Sequence, residues 1–107
     1  MLPARIKTNS TKADEGKRSP AHRKWVRGFE CSVPGCGQRP IECAHVRLGT
    51  DGGVGIKPSD RWCISLCVFH HAEQHQIGEI QFEKVHRLDL KALAAEFFFR
   101  SPHRGKL

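Results

Sequence analysis

At 107 residues, 38% hydrophobic and 27% charged, the chain has room for one small domain and no more. No apolar run approaches membrane-spanning length, the longest near the end being the FFF of LAAEFFF, and MLPARIKTNSTK has no apolar stretch behind its charges to make a secretory signal. The expectation is a cytoplasmic protein, in which five cysteines close to histidines read as metal ligands rather than disulfides.

The net charge of +7 is unevenly spread: residues 1 to 28 carry +6, residues 98 to 107 add +3, and the stretch between sums to −2. The ends are either solubilising arms or an electrostatic grip on phosphates, which needs charge and reach but no fixed structure. Residues 1 to 20 are polar and without periodicity, which predicts a disordered basic tail ahead of one folded domain over 21 to 107. The fold is expected to begin near AHRKWVRGFEC, where Trp25, Val26 and Phe29 can anchor to a core. CSVPGCGQRP is punctuated by Pro and Gly and predicts a tight knuckle. IECAHVRL reads as a short strand, GTDGGVG as a hairpin loop whose Asp-Gly-Gly offers positive φ, and RWCISLC as the second strand. VFHHAEQH starts a helix that GEIQFEKVHRL is expected to continue, with Ile80, Phe82, Val85 and Leu88 mostly on one side. Asp89 reads as the N-cap of a last helix, LKALAAEFFFR.

Cys31 and Cys36 flank four residues including Pro34-Gly35, Cys67 and His70 flank two, and thirty residues separate the pairs. Two short-spaced pairs joined through a hairpin are what a tetrahedral Zn²⁺ site needs, because each knuckle supplies two soft ligands with little strain. A domain with so few large apolar residues also needs such a staple. The plainer reading, small buried core cysteines, suits Cys43 and Cys63 on facing strands; the alternative puts one of them in a metal site in place of His70. His71 and His75 are four apart, so on a helix their imidazoles share a face and can share a metal. Trp25 and Trp62 flank apolar segments and read as core rather than base-stacking platforms, and Glu73 is expected to face solvent.

Together, C-x4-C, ECAHVR, TDGGVGIKPSD and LCVFHHAEQH resemble the HNH (ββα-metal) endonuclease superfamily over about residues 22 to 88, and are particularly similar to phage Ref-type recombination-associated nucleases. The resemblance implies a small zinc-stabilised α+β domain of ββα-metal type with a C-terminal helix, acting as a metal-dependent DNA endonuclease in a phage or its bacterial host. It implies His45 as general base, Arg47 as a phosphate contact, and His71 and His75 as ligands of a catalytic Mg²⁺ or Mn²⁺. Cys31, Cys36, Cys67 and His70 match the structural zinc knuckles, with Arg23, Lys24 and Arg27 on the nucleic acid. Single- or double-stranded DNA is the expected substrate, with a recombinase filament as a further expected partner. Two positions depart from the pattern. The only asparagine is Asn9, so Asp60 of KPSD stands in for the asparagine that braces the base. Ala44 occupies a usual ligand position, which leaves Cys43, Asp51, Asp60 or water as the third ligand. From other classes, the alternatives are a non-catalytic zinc module that binds DNA, an accessory nuclease active only on a recombinase filament, and an RNA-binding or RNA-cleaving knuckle.

Overall fold

A computed structural model describes residues 18–52 and 57–107 of the chain. Among these residues the architecture is α+β: a two-stranded sheet and four α-helices, α1 (Pro20–Val26), β1 (Ile41–His45), β2 (Cys63–Cys67), α2 (Val68–Ile77), α3 (Glu79–His86) and α4 (Leu90–Arg100), followed by a short 3₁₀ turn, Arg104–Lys106. The strands pair antiparallel from Ile41 opposite Cys67 to His45 opposite Cys63. All five residues of β2 are buried, so this strand is the spine on which α4, α2 and α1 pack.

Helix α1 begins where local chemistry puts it. Pro20 sits in the first turn, where its missing N–H costs nothing, and the Ser19 hydroxyl accepts from His22 N–H at 3.2 Å. Arg18 and Ser19, which composition groups with the tail, are therefore part of the fold. The remainder of the expected tail, 1 to 17, and residues 53 to 56 of the expected Gly-rich turn lie outside the described residues. What is described of the β1–β2 connection is wider than a tight hairpin: Thr50 Oγ1 donates to the carbonyl of Val46 at 2.8 Å, and Ser59 N–H to Asp51 Oδ1 at 3.1 Å.

β2 runs into α2 without a loop, because Cys67 closes the strand and caps the helix, its thiol accepting from His70 N–H. The expected long helix is two helices. Gly78, at φ 85° and ψ 158°, stops α2 while its own carbonyl accepts from Phe82 N–H to start α3. That break also changes which residues face inward. Phe82 is fully buried and Leu88 packs on the core, but Ile80 and Val85 are more than half exposed, correcting the one-sided stripe read from the sequence. Helix α4 has the predicted cap, with Asp89 Oδ1 accepting from Ala92 N–H at 3.0 Å. The core is small: Phe82, Ile64, Leu66, Leu90, Val26 and Val46 are its largest apolar members. Trp25 and Trp62 are half-buried; Trp25 closes an aromatic cluster with Phe29 and Phe97, and Arg61 stacks over Trp62 and Phe98.

Candidate metal and phosphate sites

The knuckle between α1 and β1 delivers Cys31 and Cys36, and the β2–α2 junction delivers Cys67 and His70. The four ligand atoms converge: His70 Nδ1 lies 3.4 Å from Cys31 Sγ and 3.3 Å from Cys36 Sγ and Cys67 Sγ, and the last two sulfurs are 3.8 Å apart. A tetrahedral ion with metal–sulfur bonds of about 2.3 Å and metal–nitrogen bonds of about 2.0 Å has edges of about 3.8 and about 3.5 Å. The cluster has those edges, so these four residues could hold a metal ion. Burial pushes the Cys31 thiol up to about 11. Burial acts the same way on Cys67, but the His70 N–H at the helix N-terminus and the Cys36 thiol of the knuckle, with smaller help from Phe69 N–H and Cys31, outweigh it and lower that thiol. Cys43 and Cys63 are not in this cluster. Cys63 is fully buried, and its hydrogen bond with Cys43, together with burial, raises its thiol. His70, not Cys43 or Cys63, is the fourth member of the cluster.

On the other side of α2 is an open cleft of about 520 Å³, lined among others by Arg23, Arg27, His45, Arg47, His71 and His75. Lys24, although on the same helix as Arg23, is exposed and does not line it. The i, i+4 spacing brings His71 Nε2 and His75 Nε2 to 3.3 Å. Glu42, which the sequence reading passed over, accepts from His71 Nδ1 at 2.7 Å. With the proton held on Nδ1, His71 presents a lone pair on Nε2 toward His75, the orientation a carboxylate imposes on a metal-binding imidazole. An acidic residue opposite a helix histidine across a predicted strand–helix pair is the signal that could have found it. Among the described residues no third Cys, Asp or Glu ligand joins these two nitrogens. Asp51 accepts from Ser59 N–H, and Asp60 is turned elsewhere.

Asp60 is fully buried, and four groups meet its carboxylate. His45 Nε2 donates to Oδ1 at 2.7 Å, Arg18 to Oδ1 at 3.0 Å, Ser19 N–H to Oδ2 at 2.7 Å and Arg23 to Oδ2 at 2.5 Å. Burial alone would raise this carboxyl, but the donors from His45, Ser19 and Arg23 prevail and hold it far below the usual carboxylate range. Asp60 thus stays charged, fixes the His45 proton on Nε2 and leaves the Nδ1 lone pair as the basic position. Arg18 is the second contributor that sequence reading missed, since it belongs by composition to the tail.

Glu73 corrects another expectation. It is hydrogen-bonded to His86 of α3 rather than simply facing solvent, because the turn at Gly78 folds α3 back alongside α2. A second hollow, about 380 Å³ between α1 and α4, is walled mainly by Trp25, Phe29, Leu93 and Phe97 and shares no residue with the histidine cleft. It is larger in apolar wall than in chemistry. No helix among the described residues is long and apolar enough to cross a membrane. Comparison with protein-family models, curated proteins and solved structures finds no match to this chain.

Proposed function

We propose that this protein is a metal-dependent DNA endonuclease of the HNH, ββα-metal type, with Zn²⁺ in the four-ligand cluster and Mg²⁺ or Mn²⁺ at His71 and His75. The observation that carries the reading is the cleft itself. It gathers an imidazole backed by a buried carboxylate, a facing pair of imidazoles and a rim of arginines, on strand and helix segments whose sequence resembles that superfamily. Three thiols and one imidazole form a soft, tetrahedral donor set suited to Zn²⁺ and closed to substrate. The His71–His75 pair is open to solvent and brings few protein ligands, which leaves room for phosphate oxygen and water.

In this reading, His45 Nδ1 takes a proton from water, and the resulting hydroxide attacks the phosphodiester phosphorus. Asp60 holds the imidazolium that forms and keeps its ring oriented. The bond to the 3′ oxygen breaks, and the leaving oxyanion takes a proton from solvent water, giving 5′-phosphate and 3′-hydroxyl ends. Arg47, on the cleft wall beside His45, contacts the scissile or adjacent phosphate. A divalent cation, when bound, supplies Lewis-acid stabilisation of the charge developing on the phosphate and the leaving oxygen. Arg23, Arg27 and Lys57 line the same cleft and add positive potential along the backbone path, a contact with phosphates rather than bases.

The test is cleavage of supercoiled plasmid and single-stranded DNA by wild type and His45→Ala, in EDTA, Mg²⁺ or Mn²⁺. Expected is nicking that needs added metal and falls by about 10²–10⁴-fold in His45→Ala, the contribution of a general base of this kind. Zinc content and DNA affinity should be unchanged in the variant. DNA binding with no cleavage in any metal would sink the nuclease reading for the isolated chain. A recombinase filament that restores cutting would then favour the accessory nuclease, and its failure to do so the non-catalytic zinc module.

A further inference from the structure

The catalytic groups of the proposed site come from two elements, His45 and Arg47 from the end of β1 and His71 and His75 from α2, and something must hold those elements in register. The strand ladder stops at His45. Beyond it, Arg47 N–H donates to both carboxylate oxygens of Glu79, at 3.1 Å and 2.9 Å, and Leu48 N–H to Oε1 at 2.8 Å. Glu79 is the first residue of α3, placed there by the turn at Gly78. From the middle of α2, between the two cleft histidines, Gln74 Nε2 donates to the carbonyl of His45 at 3.1 Å and toward Glu79 Oε2 at 3.5 Å. Gln74 is only 2% exposed. The amide orientation follows from its partners, because both are acceptors and a flipped amide would set oxygen against oxygen.

We infer that Gln74 and Glu79 form a bracket that positions the base-bearing end of β1 against α2, setting the distance between His45 and the His71–His75 pair. Neither residue touches the cleft chemistry directly; both act through the backbone of His45, Arg47 and Leu48. The His45 carbonyl and the Arg47 N–H lie just past the last strand pairing, in a segment otherwise tied across to the β2 side only by Val46 N–H to the carbonyl of Trp62 at 2.8 Å among the described backbone bonds. A carboxylate receiving two amide N–H groups is a stiff, charge-assisted anchor. The buried Gln74 then ties that anchor to the helix one turn from His71 and next to His75. The inference rests on the nuclease reading for its consequence in catalysis, but the bracket itself is observable without cleavage.

The test uses full-length, zinc-loaded Glu79→Gln and Gln74→Met. Glu79→Gln keeps one acceptor oxygen and the side-chain length; Gln74→Met keeps volume and loses the hydrogen bonds. Expected in each is a fall in kcat of about 10- to 100-fold, the range for an ångström-scale misplacement, with KM for DNA within twofold. The double variant should fall no further than the worse single, because the two act as one unit. Amide exchange of Arg47 and Leu48 should speed up at least tenfold in Glu79→Gln, while amides of β2 stay protected. Folded variants with wild-type kcat, or with the whole loss in KM, would overturn the inference, as would independent, multiplying losses. If wild type does not cut DNA, the nuclease reading fails and amide exchange alone decides. Protection of Arg47 and Leu48 that Glu79→Gln abolishes supports the bracket, and fast exchange already in wild type removes it.

Discussion

His22 shows how a single side chain sets a pH limit on the fold. It is fully buried in α1, its Nδ1 is 2.8 Å from Ser101 Oγ beyond α4, and its Nε2 has no partner among the described residues. Burial lowers its pKa; Asp60 opposes this and His103 adds to it. A histidine with a depressed folded pKa favours the native state while neutral. Its contribution is complete above the unfolded value of about 6.5 and is lost as pH falls from there toward the lower folded value, because only the unfolded chain takes up the proton. Stability of the zinc-loaded protein should therefore begin to decline below about pH 6.5, well before the carboxylates titrate. His22→Asn should flatten the part of the profile between about pH 6.5 and 5, at a cost of about 1–2 kcal/mol at neutral pH for the lost packing. Denaturant melts across that range for both proteins give the measurement, and parallel profiles would show that His22 carries no such load. Asp60 acts in the same direction, lower on the pH scale. Its depressed carboxyl keeps its contribution above about pH 4 and loses it only in stronger acid, so the two residues divide the acid side of the profile between them.

At the scale of elements, the turn at Gly78 decides more than a helix boundary. It ends α2, starts α3, brings Glu79 under the β1 loop and sets His86 against Glu73. Its φ of 85° with ψ of 158° belongs to a region that is essentially closed to side chains, yet a Cβ there would meet nothing within 4 Å. Gly78→Ala is thus a test of backbone strain without a clash, expected to cost about 1–3 kcal/mol, seen as a fall in the thermal midpoint with zinc stoichiometry intact. An unchanged midpoint would mean that the two helices join in another way. This turn also marks where reading the sequence stopped working. Helical periodicity runs through AEQHQIGEIQF with only one glycine in it, and a lone glycine inside a helical pattern is commonly tolerated. The strands, the α4 cap and the Cys/His spacing were legible because each is a local signal: alternation, an N-cap aspartate, ligand pairs across a knuckle. The Asp60–Arg18–Arg23 hub, Glu42 behind His71 and the Gln74–Glu79 bracket were not, since each joins residues from about 29 to 42 positions apart or hangs on the Gly78 turn. Patterns along a chain report faces, not which polar groups meet across elements.

For the molecule as a whole, the question is what holds together a domain whose core has so few large side chains. Its apolar centre is one phenylalanine and a handful of aliphatic residues on and around β1, β2, α3 and α4, to which the knuckle adds only the small side chains of Cys31 and Val33. The Cys31–Cys36–Cys67–His70 cluster fills that gap. It ties the knuckle to the β2–α2 junction, and Ser32 N–H donates to the carbonyl of Ser65 at 2.8 Å beside it. With zinc as the proposed ion, binding contributes about 10 kcal/mol or more at neutral pH, comparable with the whole stability of a small domain. The expectation is one zinc per chain, and cooperative loss of tertiary structure as a strong chelator removes it. Cys36→Ser should bind zinc weakly and melt far lower, whereas His70→Cys, which makes a four-sulfur set, should keep zinc and fold. Metal release read with a colorimetric indicator, alongside circular dichroism and thermal melts, separates these outcomes. A metal-free chain that melts like the loaded one would assign the folding to the apolar core, and the four-residue cluster would then have to be explained by something other than stability.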